Sequence, residues 1–122
     1  MGEIKMLIDS DGTLTKDEAL DALRAAAEAA TNSLPDAFQK CNNDDERQVV
    51  MRHRDAIVLA HLRALDKSLQ YNSKPFEDLA KVLSDQAGRL GVQVSKTKEA
   101  TETILLFSDL LQLAATLALA FA

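Results

Sequence analysis

Acidic residues surround a turn near the N-terminus, and their types and spacing are suited to binding a metal ion. Asp9 and Asp11 precede Gly12, and Thr13 and Glu18 follow it. Carboxylate oxygens are ligands of the kind that Ca²⁺ and Mg²⁺ prefer. The segment is therefore a candidate for a weak divalent-cation site, and a turn followed by a helix cap is the alternative that explains the same residues without a metal.

The same segment resembles the calcium-binding loop of EF-hand proteins. With Gly12 as the turn glycine, Asp9 and Asp11 take the third and fifth positions of that loop, and Glu18 takes the twelfth. The family has an aspartate at the first position, where this chain has Leu7, and too few residues precede it for an entering helix. The resemblance implies Ca²⁺ binding of low affinity by Asp9, Asp11, the Thr13 carbonyl and Glu18.

A second resemblance is to the first motif of haloacid-dehalogenase-type phosphatases, in which Asp-x-Asp-Gly-Thr follows an apolar strand. It implies Asp9 as the nucleophile and Asp11 as the acid or base, with magnesium between them. That family carries its further motifs on a parallel sheet, and this sequence predicts no later strands. A phosphatase-like enzyme is therefore the weaker alternative, and the turn also has a structural explanation, since Thr15 and Glu18 are spaced as a helix capping box.

Polar side chains at seven-residue spacing form a second candidate site. Arg47, Arg54, His61 and Ser68 lie between the two halves of a wide apolar helix face. Charges in such a position need partners or water, because burying a lone charge is costly. The line is either a ligand-binding groove formed by Arg47, Arg54 and His61, or an ordinary edge at which Arg54 pairs with a carboxylate such as Asp109.

The composition and breaks of the chain predict one all-α domain over residues 1–122. Ala and Leu dominate, and aromatic residues are few, which favours helix. Residues 3–8 are predicted as a short extended segment, and Pro35 begins a short helix. The main helices are predicted at about 16–31, 44–72, 75–90 and 96–121, with Gly91 and Ser95 as caps. Four helices with short breaks predict an antiparallel bundle.

Two of these helices carry more apolar surface than such a bundle is expected to cover. On the helix at 44–72 the apolar arc has two sides: Val50, Ile57, Ala60 and Ala64 on one, and Met51, Val58, Leu62, Leu65 and Leu69 on the other. The helix at 96–121 is similarly apolar. We therefore expect a homodimer built on one of these two helices, since closed dimers are the commonest soluble oligomers.

Charge and composition also argue against several classes of function. The net charge is −5, whereas nucleic-acid binders usually have a basic excess. Asp109 interrupts the apolar C-terminal stretch, which leaves too short a run to span a membrane. No signal peptide is recognised, and Cys41 is the only cysteine, which agrees with a cytoplasmic location. We expect a non-enzymatic protein- or ligand-binding module that acts as a homodimer and needs no cofactor, unless the N-terminal turn takes up calcium or magnesium.

Overall fold

The computed structural model describes residues 12–122, and this part of the chain folds into five α-helices. They are α1 (Lys16–Asn32), α2 (Leu34–Lys40), α3 (Asp44–Leu65), α4 (Lys74–Lys96) and α5 (Ala100–Ala118). The described residues contain no strand, which confirms the all-α prediction of four main helices. The extended segment predicted at 3–8 lies outside the described residues.

Local side-chain signals start two of the helices as the sequence predicts. The Thr15 hydroxyl accepts a hydrogen bond from the Glu18 amide at 3.1 Å, and the Glu18 carboxylate accepts one from the Thr15 amide at 3.1 Å. At the start of α3 the Asn43 side chain accepts from the Glu46 amide at 2.9 Å. These bonds satisfy amide groups that have no carbonyl partner in the first turn of a helix.

The end of α3 comes earlier than predicted, at Leu65 instead of about residue 72. The chain beyond it pairs with the last residues instead. Ser68 and Ala122 exchange main-chain hydrogen bonds of 3.2 and 3.0 Å, and the Gln70 amide donates to the Ala120 carbonyl at 2.7 Å. This long-range pairing satisfies the main-chain groups that a longer helix would have used.

The end of α4 comes later than predicted. Gly91 was expected just beyond the helix, but it lies within α4, and it has no positive φ. The helix continues because Val94 extends the buried face formed by Leu83 and Leu90. Ser95 was expected to cap the last helix; its hydroxyl donates to the Val92 carbonyl instead, and α5 begins at Ala100. The prediction of both caps was wrong for this reason.

The four long helices form a bundle in which α1 and α5 meet across the shorter diagonal. α1 packs against α3 and α4, and α5 packs against the same two helices. α1 also contacts α5, whereas α3 and α4 do not touch. Successive long helices run in opposite directions. The connection at 66–73 crosses the end of the bundle, because α4 lies diagonally opposite α3.

An alanine stripe on α1 permits this diagonal contact. Ala19, Ala22, Ala26 and Ala30 have no exposed surface, and Leu23 on the same face is also fully buried. Small side chains let helix axes approach closely, because the distance between helices depends on the side chains at the contact. Most of the larger core side chains come from the other helices, with Phe107 and Leu110 on α5 among them.

By length and composition, α5 is apolar enough to span a membrane, and it is the one helix of the described range that meets this criterion. Core helices of soluble proteins meet it as well. Here Phe107, Leu110 and Leu117 are buried in the bundle. The structure is therefore compatible with a soluble protein.

Candidate functional site

In the described range, α3 carries more exposed large apolar residues than any other helix, and several of them form a seam along it. Met51, Leu62 and Leu65 are 38%, 49% and 45% exposed. With Asp55 and the half-buried Val58 they follow one another at alternating steps of four and three residues. That spacing is typical of a coiled-coil contact, in which such positions pack against a second helix. We call Met51, Asp55, Val58, Leu62 and Leu65 the α3 seam.

The seam is open because the bundle covers only one side of α3. Val50, Ile57 and Ala64 are buried against the other helices. α4 lies across the bundle and does not reach α3, so α1 alone borders the second side, where Val58 and Leu65 line grooves between the two helices. The two-sided apolar arc predicted from the sequence is present, and Met51 and Leu62 on its second side are exposed.

Charged side chains border the seam on both edges. The inner edge lies towards α1 and carries Arg47, Arg54 and His61. The outer edge carries Arg52 and Asp66, with Leu59 between them, and these three residues are exposed. A seam flanked by charges is the usual arrangement of a helix surface that selects its partner by ion pairs.

The inner edge holds the residues that the sequence proposed as a ligand site. The Arg54 guanidinium Nε donates to Asp55 at 2.7 Å, so its carboxylate partner is its neighbour instead of Asp109. Arg47 pairs with Asp44 one turn away. A step of seven residues advances about 10.5 Å along a helix. Arg47, Arg54 and His61 therefore lie in a row along the edge and do not converge on one point.

His61 lies beside an open groove between α1 and α3. The groove has a volume of about 260 Å³, and its other lining residues include Leu20, Asp21 and Leu65. Asp17 and Arg24 of α1 also line it. Arg54 is not among the lining residues. The groove thus joins the acidic surface of α1 to the inner edge of the α3 seam.

Of the residues proposed to hold a cation, the structure describes Thr13 and Glu18. Glu18 is engaged in the capping box, and the Thr13 amide and hydroxyl donate to the Glu77 carboxylate at 2.5 and 2.6 Å. Asp9 and Asp11 lie outside the described residues. Within 12–122 no three His, Cys, Asp or Glu side chains are grouped to hold a metal ion. A calcium or magnesium site at this turn stays a prediction.

The contact between Thr13 and Glu77 ties the segment before α1 to the start of α4. Hydrogen bonds from the Thr13 hydroxyl and amide, with a smaller contribution from Lys74, lower the pKa of Glu77 to about 2. Gly12 lies beside the same helix start, where a Cβ would come within 2.0 Å of the Asn72 carbonyl oxygen. Sequence reasoning missed this contact, because no local pattern links residues so far apart in the chain.

Cys41 lies in the core, directly after the end of α2. Its thiol donates to the Ala37 carbonyl at 3.4 Å. Burial raises the pKa of the thiol, and the nearby Glu46 carboxylate raises it further. A thiol with a raised pKa is a poor nucleophile at neutral pH, so nothing about Cys41 favours catalysis.

Comparison with protein-family models, with curated proteins and with solved structures finds no match to this chain.

Proposed function

We propose that this chain is a non-enzymatic protein-binding module that acts as a homodimer, with the two copies joined along the α3 seam. The observation that carries the proposal is the exposure of Met51, Leu62 and Leu65 at coiled-coil spacing on one helix. Exposed apolar side chains that are contiguous mark interaction sites more often than single ones do.

The α3 seam is a better candidate for the dimer contact than α5, the other helix that the sequence analysis considered. The exposed large apolar residues here are Leu105, near the start of α5, and Leu119, directly after its end. Exposed polar residues, among them Gln112 and Thr116, lie between them. A broken apolar surface of this kind offers a second helix no continuous row of contacts.

A second copy of the chain is favoured over an unrelated protein because the outer edge of the seam is complementary to itself. Arg52 lies in the N-terminal half of α3 and Asp66 directly follows its C-terminal end, so in an antiparallel pair each charge of one copy can meet the opposite charge of the other. The acidic net charge and the absence of a basic surface excess argue against a nucleic-acid partner. We propose a cytoplasmic location, no membrane contact and no required cofactor, and a further protein partner would bind the assembled dimer.

Sedimentation velocity on the wild type and two matched variants tests the proposal. Leu62→Glu places a charge in the seam, and Val92→Glu places one on an exposed apolar residue of α4 away from the seam. We expect a dimer for the wild type and for Val92→Glu, and a monomer for Leu62→Glu, because burying an unpaired carboxylate is costly. A monomeric wild type at tens of micromolar, or a Leu62→Glu variant that stays dimeric, would contradict the proposal.

A further inference from the structure

We infer that the two α3 helices pack antiparallel, with their two-fold axis at the level of Ala60 and with Arg52 of each copy paired to Asp66 of the other. This inference rests on the proposed dimer and goes beyond it by giving the direction, the register and the ion pairs of the contact.

The seam itself argues against a parallel pair. In a parallel pair in register, each seam residue lies opposite the same residue of the second copy. Asp55 would then lie opposite Asp55, and the neighbouring edges would bring Arg47 next to Arg52. Like charges in contact across an interface are unfavourable. Both repulsions would fall near the middle and the N-terminal half of α3.

An antiparallel pair removes both repulsions. With the axis at Ala60, Val58 of one copy faces Leu62 of the other, and this contact occurs twice by symmetry. Asp55 then faces Leu65 in the outermost layer of the two helices, where its carboxylate stays at the interface edge with Arg54. Met51 faces position 69 of the other copy, beyond the end of α3, and lies outside the helix pair. The two Asp55 carboxylates are separated by the apolar centre of the seam.

The outer edge fits the same register. In antiparallel coiled coils the residues of one edge face the same edge of the partner helix. Arg52 of each copy then lies beside Asp66 of the other, and the two Leu59 side chains meet at the axis. Arg52 and Asp66 are exposed in the described structure. Among the described residues, the Arg52 guanidinium is within hydrogen-bond distance of Gln48 alone, at 3.3 Å. A shift by one heptad in one direction would instead bring Asp45 next to Asp66.

The inner edge adds a contact with α1. In this register Arg54 of one copy reaches the level of residues 66–68 of the other copy. The start of that other copy's α1 lies at the same level of its bundle. Asp17 and Asp21 of α1 lie beside Leu65 at that level. Asp21 is already paired with Arg24 at 3.2 Å, so Asp17 is the carboxylate that Arg54 would face. Each copy would then hold the seam of the other from two sides. The groove beside His61 is then part of the interface.

A charge exchange tests the register. Arg52→Glu or Asp66→Arg alone turns two attractive pairs into two repulsive ones, and we expect the dimer dissociation constant to rise about tenfold in each single variant. The double variant Arg52→Glu/Asp66→Arg restores opposite charges, and we expect the dissociation constant to return to near the wild-type value. Thermal denaturation of each variant checks that it folds. A dimer that the exchange fails to restore would overturn the register.

Cross-linking separates failure of the register from failure of the dimer. In a Cys41→Ala background, Leu59→Cys brings two thiols together at the axis of an antiparallel pair, whereas a parallel pair places them on opposite edges. We expect a short bismaleimide to link the Leu59→Cys chains efficiently and to leave a Leu105→Cys control on α5 unlinked. A dimer by sedimentation velocity without this cross-link would refute the antiparallel register and leave the proposed function standing. A monomer would refute both.

Discussion

Replacing Ala26 by leucine tests the close contact between α1 and α5 on which the bundle depends. Ala26 has no exposed surface, and fully buried alanines precede and follow it on the same face. The larger side chain would bring three more carbon atoms, and in an empty space each would contribute about 0.8 kcal/mol of burial free energy. In a packed contact the same atoms force side chains and helices apart, at about 1–3 kcal/mol.

We expect the packing cost to win, because an alanine stripe with no exposed surface leaves no evident space for a branched side chain. For a domain of this size, about 1–3 kcal/mol lowers the melting temperature by roughly 4–12 °C. Differential scanning calorimetry at a fixed protein concentration measures the shift. Ala115→Leu, at an exposed alanine of α5, is the matched control and should change the melting temperature little. An Ala26→Leu variant as stable as the wild type would show that α1 and α5 are not in close contact.

Two further predictions follow from the pKa directions. The pKa of Glu77 is lowered from 4.5 to about 2 in the folded chain, so the stability it contributes is present above about pH 4.5 and is lost as the pH falls towards 2. We expect the melting temperature of the wild type to fall more steeply over this pH interval than that of Glu77→Gln. Asp36→Asn, on the surface of α2, is the control and should fall as steeply as the wild type. Equal slopes for the wild type and Glu77→Gln would refute the role of the Thr13 hydrogen bonds. The raised pKa of the buried Cys41 thiol predicts slow reaction with a disulfide reagent at pH 8 in the native protein and fast reaction after unfolding, and a native rate as fast as the unfolded one would contradict it.

The helix starts could be predicted from the sequence because their causes are local. Thr15 with Glu18, and Asn43 ahead of α3, place an acceptor three residues before the amide that needs it. The helix ends could not be predicted as well. Gly91 carries a local stop signal, but a helix interior tolerates glycine at a cost of about 1 kcal/mol, and the burial of Val94 on the same face favours continuation.

The early end of α3 depends on the C-terminal residues, which return to pair with Ser68 and Gln70. No pattern within the helix reports such a long-range contact. The same limit applies to the link between Thr13 and Glu77, since both residues are ordinary for the ends of their own helices.

One property of the candidate surface could be predicted from the sequence, and another could not. The sequence gives α3 two apolar sides, because hydrophobic periodicity depends only on the order of residues. It does not tell which side the bundle covers. That depends on the crossing of residues 66–73, which takes α4 away from α3 and leaves Met51, Leu62 and Leu65 exposed. The crossing of residues 66–73 also determines that Arg47, Arg54 and His61 form an edge of this surface.

The measurement that tests the central claim most directly is the molar mass of the wild-type chain in solution, by size-exclusion chromatography with light scattering over a range of concentrations. The α3 seam predicts twice the 13.3 kDa of one chain, with dissociation only on dilution. A mass of one chain at tens of micromolar would contradict the claim that a second copy covers the seam.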